Sequence, residues 1–224
     1  MNNLFELIRE NPKFLKYYSY LISENEKYNL TNITQKDEVY VKHFLDSALL
    51  LELLDLKEGV SLCDVGSGAG FPGIPIKILR PDIKLTIIEP TLKRCNFLNN
   101  LVQLLDLTDV TIINKRAEDI KDMKFDIVCA RAVSNLRILL ELCMPLVKVN
   151  WSFIAYKGSK YQEEIDESVN ALKVLNSKIT NVFEYNLDEY LNGSGNHCLI
   201  QVTKYKEIDN KYPRSYSKIK SKPL

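Results

Sequence analysis

Apolar residues recur along this chain in two rhythms. Residues 2–25 and 36–55 carry them at helical spacing; Leu45, Leu49, Glu52 and Leu53 set the period of the second stretch, with His43 and Asp46 near its start. From residue 61 the rhythm changes to short apolar runs, near 61–65, 84–89, 110–114, 125–130 and 153–156, each read as a strand. Helical stretches near 73–79, 92–105, 135–147 and 162–175 lie between them. Strands alternating with helices predict right-handed crossovers and a mostly parallel sheet covered on both faces. Two last runs, 180–185 and 197–204, flank Gly193-Ser194-Gly195 and predict an antiparallel hairpin that closes the sheet. The pattern divides the chain into an N-terminal helical cap over 1–57, an α/β core over 58–204 and a tail over 205–224.

The first strand runs into Asp64-Val65-Gly66-Ser67-Gly68-Ala69-Gly70-Phe71-Pro72-Gly73, and the acidic Glu89 ends the next apolar run. Alternating glycines after a strand remove side chains where a ligand approaches the backbone, and they accept φ values that other residues resist. Two ligands compete for such a loop. Gly68, Gly70 and Gly73 match a dinucleotide fingerprint, with Glu89 21 residues beyond Gly68. The strand, however, ends most naturally at Val65, so the turn begins at Gly66 and Phe71 falls on the third glycine position. Asp64 would also set a fixed negative charge against a pyrophosphate. S-adenosylmethionine has no phosphate; its sulfonium and ammonium attract a carboxylate at the strand tip. We therefore read Asp64, Gly66, Gly68, Gly70 and Glu89 as the cofactor site of a Rossmann-like class I S-adenosylmethionine-dependent methyltransferase, which this combination resembles. The resemblance implies that Asp64 holds the methionine ammonium and Glu89 the ribose hydroxyls.

In open α/β sheets ligands bind beyond the carboxyl ends of the strands. Asp64, Glu89, the segment Lys115-Arg116-Ala117-Glu118, Arg131 and Lys157 all follow predicted strands, so they share one edge. Ala117 and Glu118 are candidates for reading the adenine, through a backbone amide and a carboxylate. At the methyl-transfer position, where amino-group methyltransferases often carry Asn/Asp-Pro-Pro-Tyr, this chain has Ala130-Arg131-Ala132. A guanidinium only donates hydrogen bonds, which argues against an amine target. An acceptor atom with a free lone pair, such as guanine N7, needs alignment rather than a general base, and an arginine can read the neighbouring O6. The alternative for Arg131 is a pairing with a cofactor carboxylate or an internal acid.

Composition narrows the classes. A chain of 224 residues, 46% hydrophobic and 26% charged, suits one folded α/β enzyme rather than a disordered segment. No apolar run has transmembrane length and no signal peptide is visible, so a cytoplasmic protein is expected, and nothing demands more than a monomer. The five cysteines are scattered without C-x-x-C spacing, none follows proline or threonine as a pyrimidine-C5 nucleophile would, and His43 and His197 stand far apart. No metal site is expected.

Several further segments, Asn29-Leu30-Thr31, Lys42-His43-Phe44-Leu45-Asp46-Ser47, Lys93-Arg94, Arg116-Ala117-Glu118 and Lys211-Tyr212-Pro213-Arg214, join the glycine loop and Ala130-Arg131-Ala132 in a pattern that resembles the RsmG, or glucose-inhibited division protein B, family, from about residue 28 to the C-terminus. The resemblance implies a 16S ribosomal RNA guanine-N7 methyltransferase acting on the 530 loop of the small ribosomal subunit. It also implies cofactor contacts at Gly66, Phe71, Ala117, Glu118 and Arg131. Many members have Asp-Ser where this chain has Glu89-Pro90. Other readings are a small-metabolite methyltransferase and a non-catalytic, cofactor-binding ribosome factor.

RNA should also leave a mark on charge. The total is only +1, yet residues 204–224 hold seven lysines and arginines against two acids, with Tyr205, Tyr212 and Tyr216 interleaved. Such a tail suits stacking on unpaired bases and phosphate neutralisation, or else a solvated, soluble end. We expect it to be mobile without RNA. Candidate RNA contacts are Arg94, Lys157, Lys211, Tyr212, Arg214 and Lys218; candidate catalytic residues are Arg131, His43 and Asp46, though a lone histidine such as His43 is more often a helix-end or core residue.

Overall fold

The computed structural model describes residues 1–131 and 134–224, so Ala132 of the Ala-Arg-Ala triplet lies outside the described residues. Seven strands form one sheet in the order β3-β2-β1-β4-β5-β7-β6. β1 (Ser61–Val65), β2 (Lys84–Ile88), β3 (Val110–Ile113), β4 (Phe125–Arg131) and β5 (Val147–Gly158) run parallel, and β7 (Asn196–Lys204) lies antiparallel between β5 and β6 (Ser177–Asn186). This is the mostly parallel α/β sheet with a closing antiparallel strand that the strand–helix alternation predicts.

Side-chain alternation along the strands explains how one sheet feeds two cores. Leu62, Ile127, Cys129, Ile154 and Tyr156 face the core with the N-terminal helices. Cys63, Val65, Val128, Ala130, Phe153 and Ala155 face the opposite core. All five cysteines are buried as small packing residues.

The N-terminal segment is clamped onto the sheet. α1 (Asn2–Glu10) ends where Asn11-Pro12 begins α2 (Pro12–Tyr28); the Asn11 side chain accepts from the Lys13 amide at 3.0 Å, and Pro12 sits where a helix has no use for its N–H. Asn29 closes α2 in the left-handed conformation, φ 49°. α3 (Lys36–Glu38), a π-helical turn (Val39–Leu45), α4 (Asp46–Ala48) and α5 (Leu50–Leu53) then run almost continuously. Phe14, Tyr17 and Leu21 of α2 are fully buried against Phe44 and Phe71, with ring centroids of 5.0 Å for Phe14–Phe44 and 5.4 Å for Tyr17–Phe71. Burying each such ring stabilises by roughly 1.5–3 kcal/mol. Residues 1–57 therefore share a core with the sheet and reach its glycine loop, where the Tyr17 hydroxyl donates to the Ala69 carbonyl at 2.6 Å.

α6 (Gly73–Leu79), α7 (Leu92–Leu104), α8 (Leu136–Cys143), α9 (Tyr161–Glu167) and α10 (Val169–Val174) complete the layers. Several boundaries differ from the sequence pattern, and two of them are linked. The helix predicted to reach 147 stops at Cys143, because Pro145 forces a tight turn over Met144–Leu146, and β5 starts at Val147 rather than 153. The tail also differs from the mobile segment expected. It ends in α11 (Tyr216–Ser221), with Ile219 fully buried and Ile208 nearly so. Among the described residues no helix is long and apolar enough to cross a membrane.

Candidate active site

The glycine loop leaves β1 over the buried carboxylate of Asp64. Oδ2 of Asp64 accepts from Ser67 Oγ at 2.5 Å and from the Gly73 amide at 2.8 Å, which ties the strand tip to the start of α6. Oδ1 is equally buried and has no hydrogen-bond partner. Burial without full compensation lifts the Asp64 carboxyl to about pH 6, against the opposing pull of the Ser67 and Gly73 donors. A buried carboxylate oxygen with nothing to accept from fits a cationic ligand. Gly70 holds the loop's tightest point: its φ is +105°, and a Cβ there would stand 2.6 Å from the Tyr17 hydroxyl. Gly68 is the opposite case, since a Cβ there would meet nothing within 4 Å; it borders a hollow of 200 Å³ with Gly66, Phe71, Thr31, Arg94 and Arg131.

Glu89, at the end of β2, closes the loop from the side. Its carboxylate accepts from the Gly68 amide at 3.0 Å and the Thr91 amide at 2.9 Å. Four lone-pair sites on a carboxylate leave room for ribose hydroxyls as well. Arg94 stands 3.8 Å from the same carboxylate, partly exposed. Ala117 and Glu118 lie in a tight turn after β3, and Ala117 packs with Val65 and Ile88 beneath the loop. These residues could hold S-adenosylmethionine, with Asp64 supplying the charge its cationic end requires.

A second hollow, of 560 Å³, opens beside the first beyond the ends of β4, β5 and β7. Arg131 and His43 line both. Arg131 ends β4, with its guanidinium 4.9 Å above the Phe71 ring. Nη1 donates to Asp46 Oδ2 at 2.9 Å and to the Lys42 carbonyl at 3.1 Å; Nη2 lies 3.3 Å from His43 Nδ1. Nδ1 also lies 3.2 Å from the Lys42 carbonyl, so its two neighbours, one a donor and one an acceptor, call for opposite tautomers, while Nε2 faces Thr31 Oγ1 at 2.8 Å. Burial, with Arg131 beside it, lowers the His43 imidazole to about 3. His43 is thus a neutral plate, stacked on Phe71 at 4.5 Å, with both ring nitrogens engaged. The π-helical turn sets His43 and Asp46, three residues apart, toward one guanidinium.

Asp46 Oδ1 accepts from the Tyr185 hydroxyl at 2.7 Å, and His197 Nδ1 lies 3.5 Å from the same oxygen. Tyr185 and His197 stack at 5.5 Å. Sequence reasoning missed both. An antiparallel strand brings its N-terminal end to the edge where parallel strands end, so His197, paired with Gly158, reaches the site from in front of a strand. Lys157 lines this hollow too, held by Glu164 at 2.7 Å and the Ser134 carbonyl at 2.6 Å.

The remaining basic candidates, Lys211, Arg214 and Lys218, line neither hollow. Lys211 is exposed and paired with Asp209 at 3.1 Å, its ammonium 5.3 Å from the centroid of the Tyr212 ring. Lys218 is exposed on α11. Arg214 turns inward: Nε and Nη2 grip the fully buried Glu141 of α8 at 2.7 and 2.6 Å, and Nη2 also donates to the Lys222 carbonyl. Its charge is spent inside the fold, not on a surface for phosphate.

Known proteins resemble this chain in sequence and in fold. A family model described as rRNA small subunit methyltransferase G matches residues 10–190. Ribosomal RNA small subunit methyltransferase G from Lactobacillus acidophilus is 44% identical, covering 98% of this chain and 94% of its own length. The protein of that name from Mycoplasma capricolum is 48% identical, covering 91% and 87%. Among solved structures, an S-adenosylmethionine-dependent O-methyltransferase from Thermotoga maritima superposes with a TM-score of 0.58 over 84% of this chain and 73% of its own, at 16% identity. A putative methyltransferase from Thermoplasma acidophilum gives 0.54 over 68% and 71%, at 17% identity. These two likenesses concern the fold.

Proposed function

The chain belongs to the rRNA small subunit methyltransferase G family, and on that premise we propose that it transfers a methyl group from S-adenosylmethionine to N7 of a guanine in the 530 loop of 16S ribosomal RNA. The observation that carries the proposal is the pair of adjoining hollows that share Arg131 and His43. One suits the methyl donor and the other an acceptor base. On this reading the enzyme acts as a cytoplasmic monomer.

Bound S-adenosylmethionine supplies an electrophilic methyl group on a sulfonium. Asp64 would hold its ammonium, Glu89 the ribose hydroxyls, and Ala117 and Glu118 the adenine. Guanine N7 carries a lone pair and no proton, so the site needs no general base, and none is offered: His43 is neutral with both nitrogens occupied. Arg131, steadied by Asp46 and by the Phe71 face, presents donors suited to guanine O6, which leaves N7 turned toward the donor hollow. Chemistry of this kind rests on alignment and on fixed charge. The test is methyl transfer from labelled cofactor to small subunits lacking the modification, mapped by N7-specific cleavage. One label at a 530-loop guanine is the expected result; labelling of small metabolites only, or none at all with cofactor bound, would overturn it.

Asp64 adds a pH dependence whose sign is fixed. Its carboxyl titrates near 6 in the free protein, and a cationic ligand favours the ionised form, so binding below that pH must release a proton. Cofactor affinity should be flat above about pH 7 and fall, approaching about tenfold per unit, below about pH 6. Calorimetric titrations from pH 5 to 8 would reveal this; affinity that is level across the range would remove Asp64 from the cationic end.

A further inference from the structure

A third hollow, of 490 Å³, lies where α1, α3 and the loop after β6 meet, lined by Phe5, Arg9, Lys36, Tyr40, Tyr190 and Leu191, with Asp37 on its rim. From this groove we infer a second RNA subsite, holding an unpaired nucleotide that flanks the methylated guanine; the inference rests on the RNA-methyltransferase reading above. Two of the three charged residues lining it are cations, and among the described residues neither Arg9 nor Lys36 has a carboxylate partner. Each cation already lies near an aromatic face, Arg9 5.7 Å from the Phe5 centroid and Lys36 5.7 Å from that of Tyr40. Phe5 meets Tyr190 edge-on at 4.9 Å and is only half buried. Aromatic faces beside unpaired cations recognise a base and its phosphate, where an acidic peptide would use the cations alone. The volume falls within the range of small-ligand sites.

Continuity with the acceptor hollow supports RNA as the occupant. Tyr40 and Val41 line the groove while Lys42, His43 and Asp46, next along the same helical stretch, line the acceptor hollow. Tyr190 and Leu191 border the groove, and Ser194, further along the same connection, and His197, at the start of β7, border the acceptor hollow. Tyr40 and His43 are three residues apart in the same π-helical turn, a span that one or two nucleotides bridge. Phe5 and Arg9 lie before residue 10, where the family match begins, so the groove uses a part of the chain the match does not include.

The test compares wild type, Arg9→Gln/Lys36→Gln and Phe5→Leu on small subunits and on deproteinised 16S RNA, with affinity read across a salt series. The double variant should raise the RNA KM about tenfold and flatten the log–log salt slope by about 1 to 2, because one or two phosphate contacts are lost. Its kcat should stay within about twofold and its cofactor affinity should be unchanged. Phe5→Leu keeps apolar bulk and loses the stacking face, so it should weaken RNA about fivefold without moving the slope. An active wild type with indifferent variants overturns the groove alone. A slope change on subunits that vanishes on deproteinised RNA assigns the groove to a ribosomal protein and overturns the RNA subsite. A wild type that methylates neither substrate overturns the parent reading, and the groove falls with it.

Discussion

Methyl transfer should fall about 10²- to 10³-fold when Arg131 is replaced by alanine, while cofactor affinity changes by less than about tenfold. The magnitude is that of removing one donor aimed at the reacting group in a site shielded from water. The asymmetry follows from position. The Arg131 guanidinium reaches Asp46, the Lys42 carbonyl and His43, and among the described residues it makes no hydrogen bond or ion pair with Asp64 or Glu89. Loss of the fork therefore strips the acceptor side, and on the glycine loop it uncovers the Phe71 ring while the hydrogen bonds of Asp64 and Glu89 stay. Asp46 would be left nearly buried, with Tyr185 and His197 for company, so some stability goes too; thermal unfolding of Arg131→Ala separates that cost from the catalytic one. Arg131→Lys keeps the charge but offers no planar fork and should recover little activity. Steady-state kinetics beside cofactor titration decide the matter. Equal losses in cofactor affinity and turnover would move Arg131 into the cofactor shell.

How much of this was legible from residues alone depended on how local the cause was. β1 is at the predicted 61–65 because apolar residues and a glycine turn specify it within a few positions. The glycine loop and its acids were legible for the same reason, since strand, turn and charge lie within one short stretch. Arg131 was placed at the correct edge, but its partner Asp46 stands 85 residues away and their ion pair is a product of folding. His197 does not follow a strand, because β7 enters the sheet antiparallel and delivers its first residues to that edge, and Tyr185 reaches it from the end of β6, which the sequence pattern presents only as one arm of a closing hairpin. The tail departs from its composition for a related reason. Lysine and tyrosine content describes an exposed segment, and composition does not reveal that Glu141, on an otherwise apolar helix face, is buried beneath it.

That buried acid reverses the effect expected of Arg214. As a phosphate contact, Arg214→Ala would weaken RNA binding and leave the fold alone. As the partner of Glu141, it should destabilise the protein by about 3–5 kcal/mol, because a fully buried carboxylate loses its counter-charge and two of its donors. For a domain of this size that corresponds to a Tm lower by roughly 6–20 °C. The backbone of Arg214 also donates to Glu141 at 3.0 Å and its side chain to the Lys222 carbonyl, so the pair pins both ends of α11. Release of that helix would uncover Ile219 and free Tyr216, whose ring lies 5.6 Å from the Arg116 guanidinium, next to Ala117 and Glu118. Cofactor affinity should therefore decline along with stability. Lys218→Ala, on an exposed residue of the same helix, should leave Tm unchanged and serves as the control for charge alone. Replacing both partners with apolar residues of similar volume should recover most of the loss, since the penalty arises from the stranded carboxylate rather than from the missing attraction. An Arg214→Ala protein with unaltered Tm and weakened RNA binding would return the residue to the RNA surface.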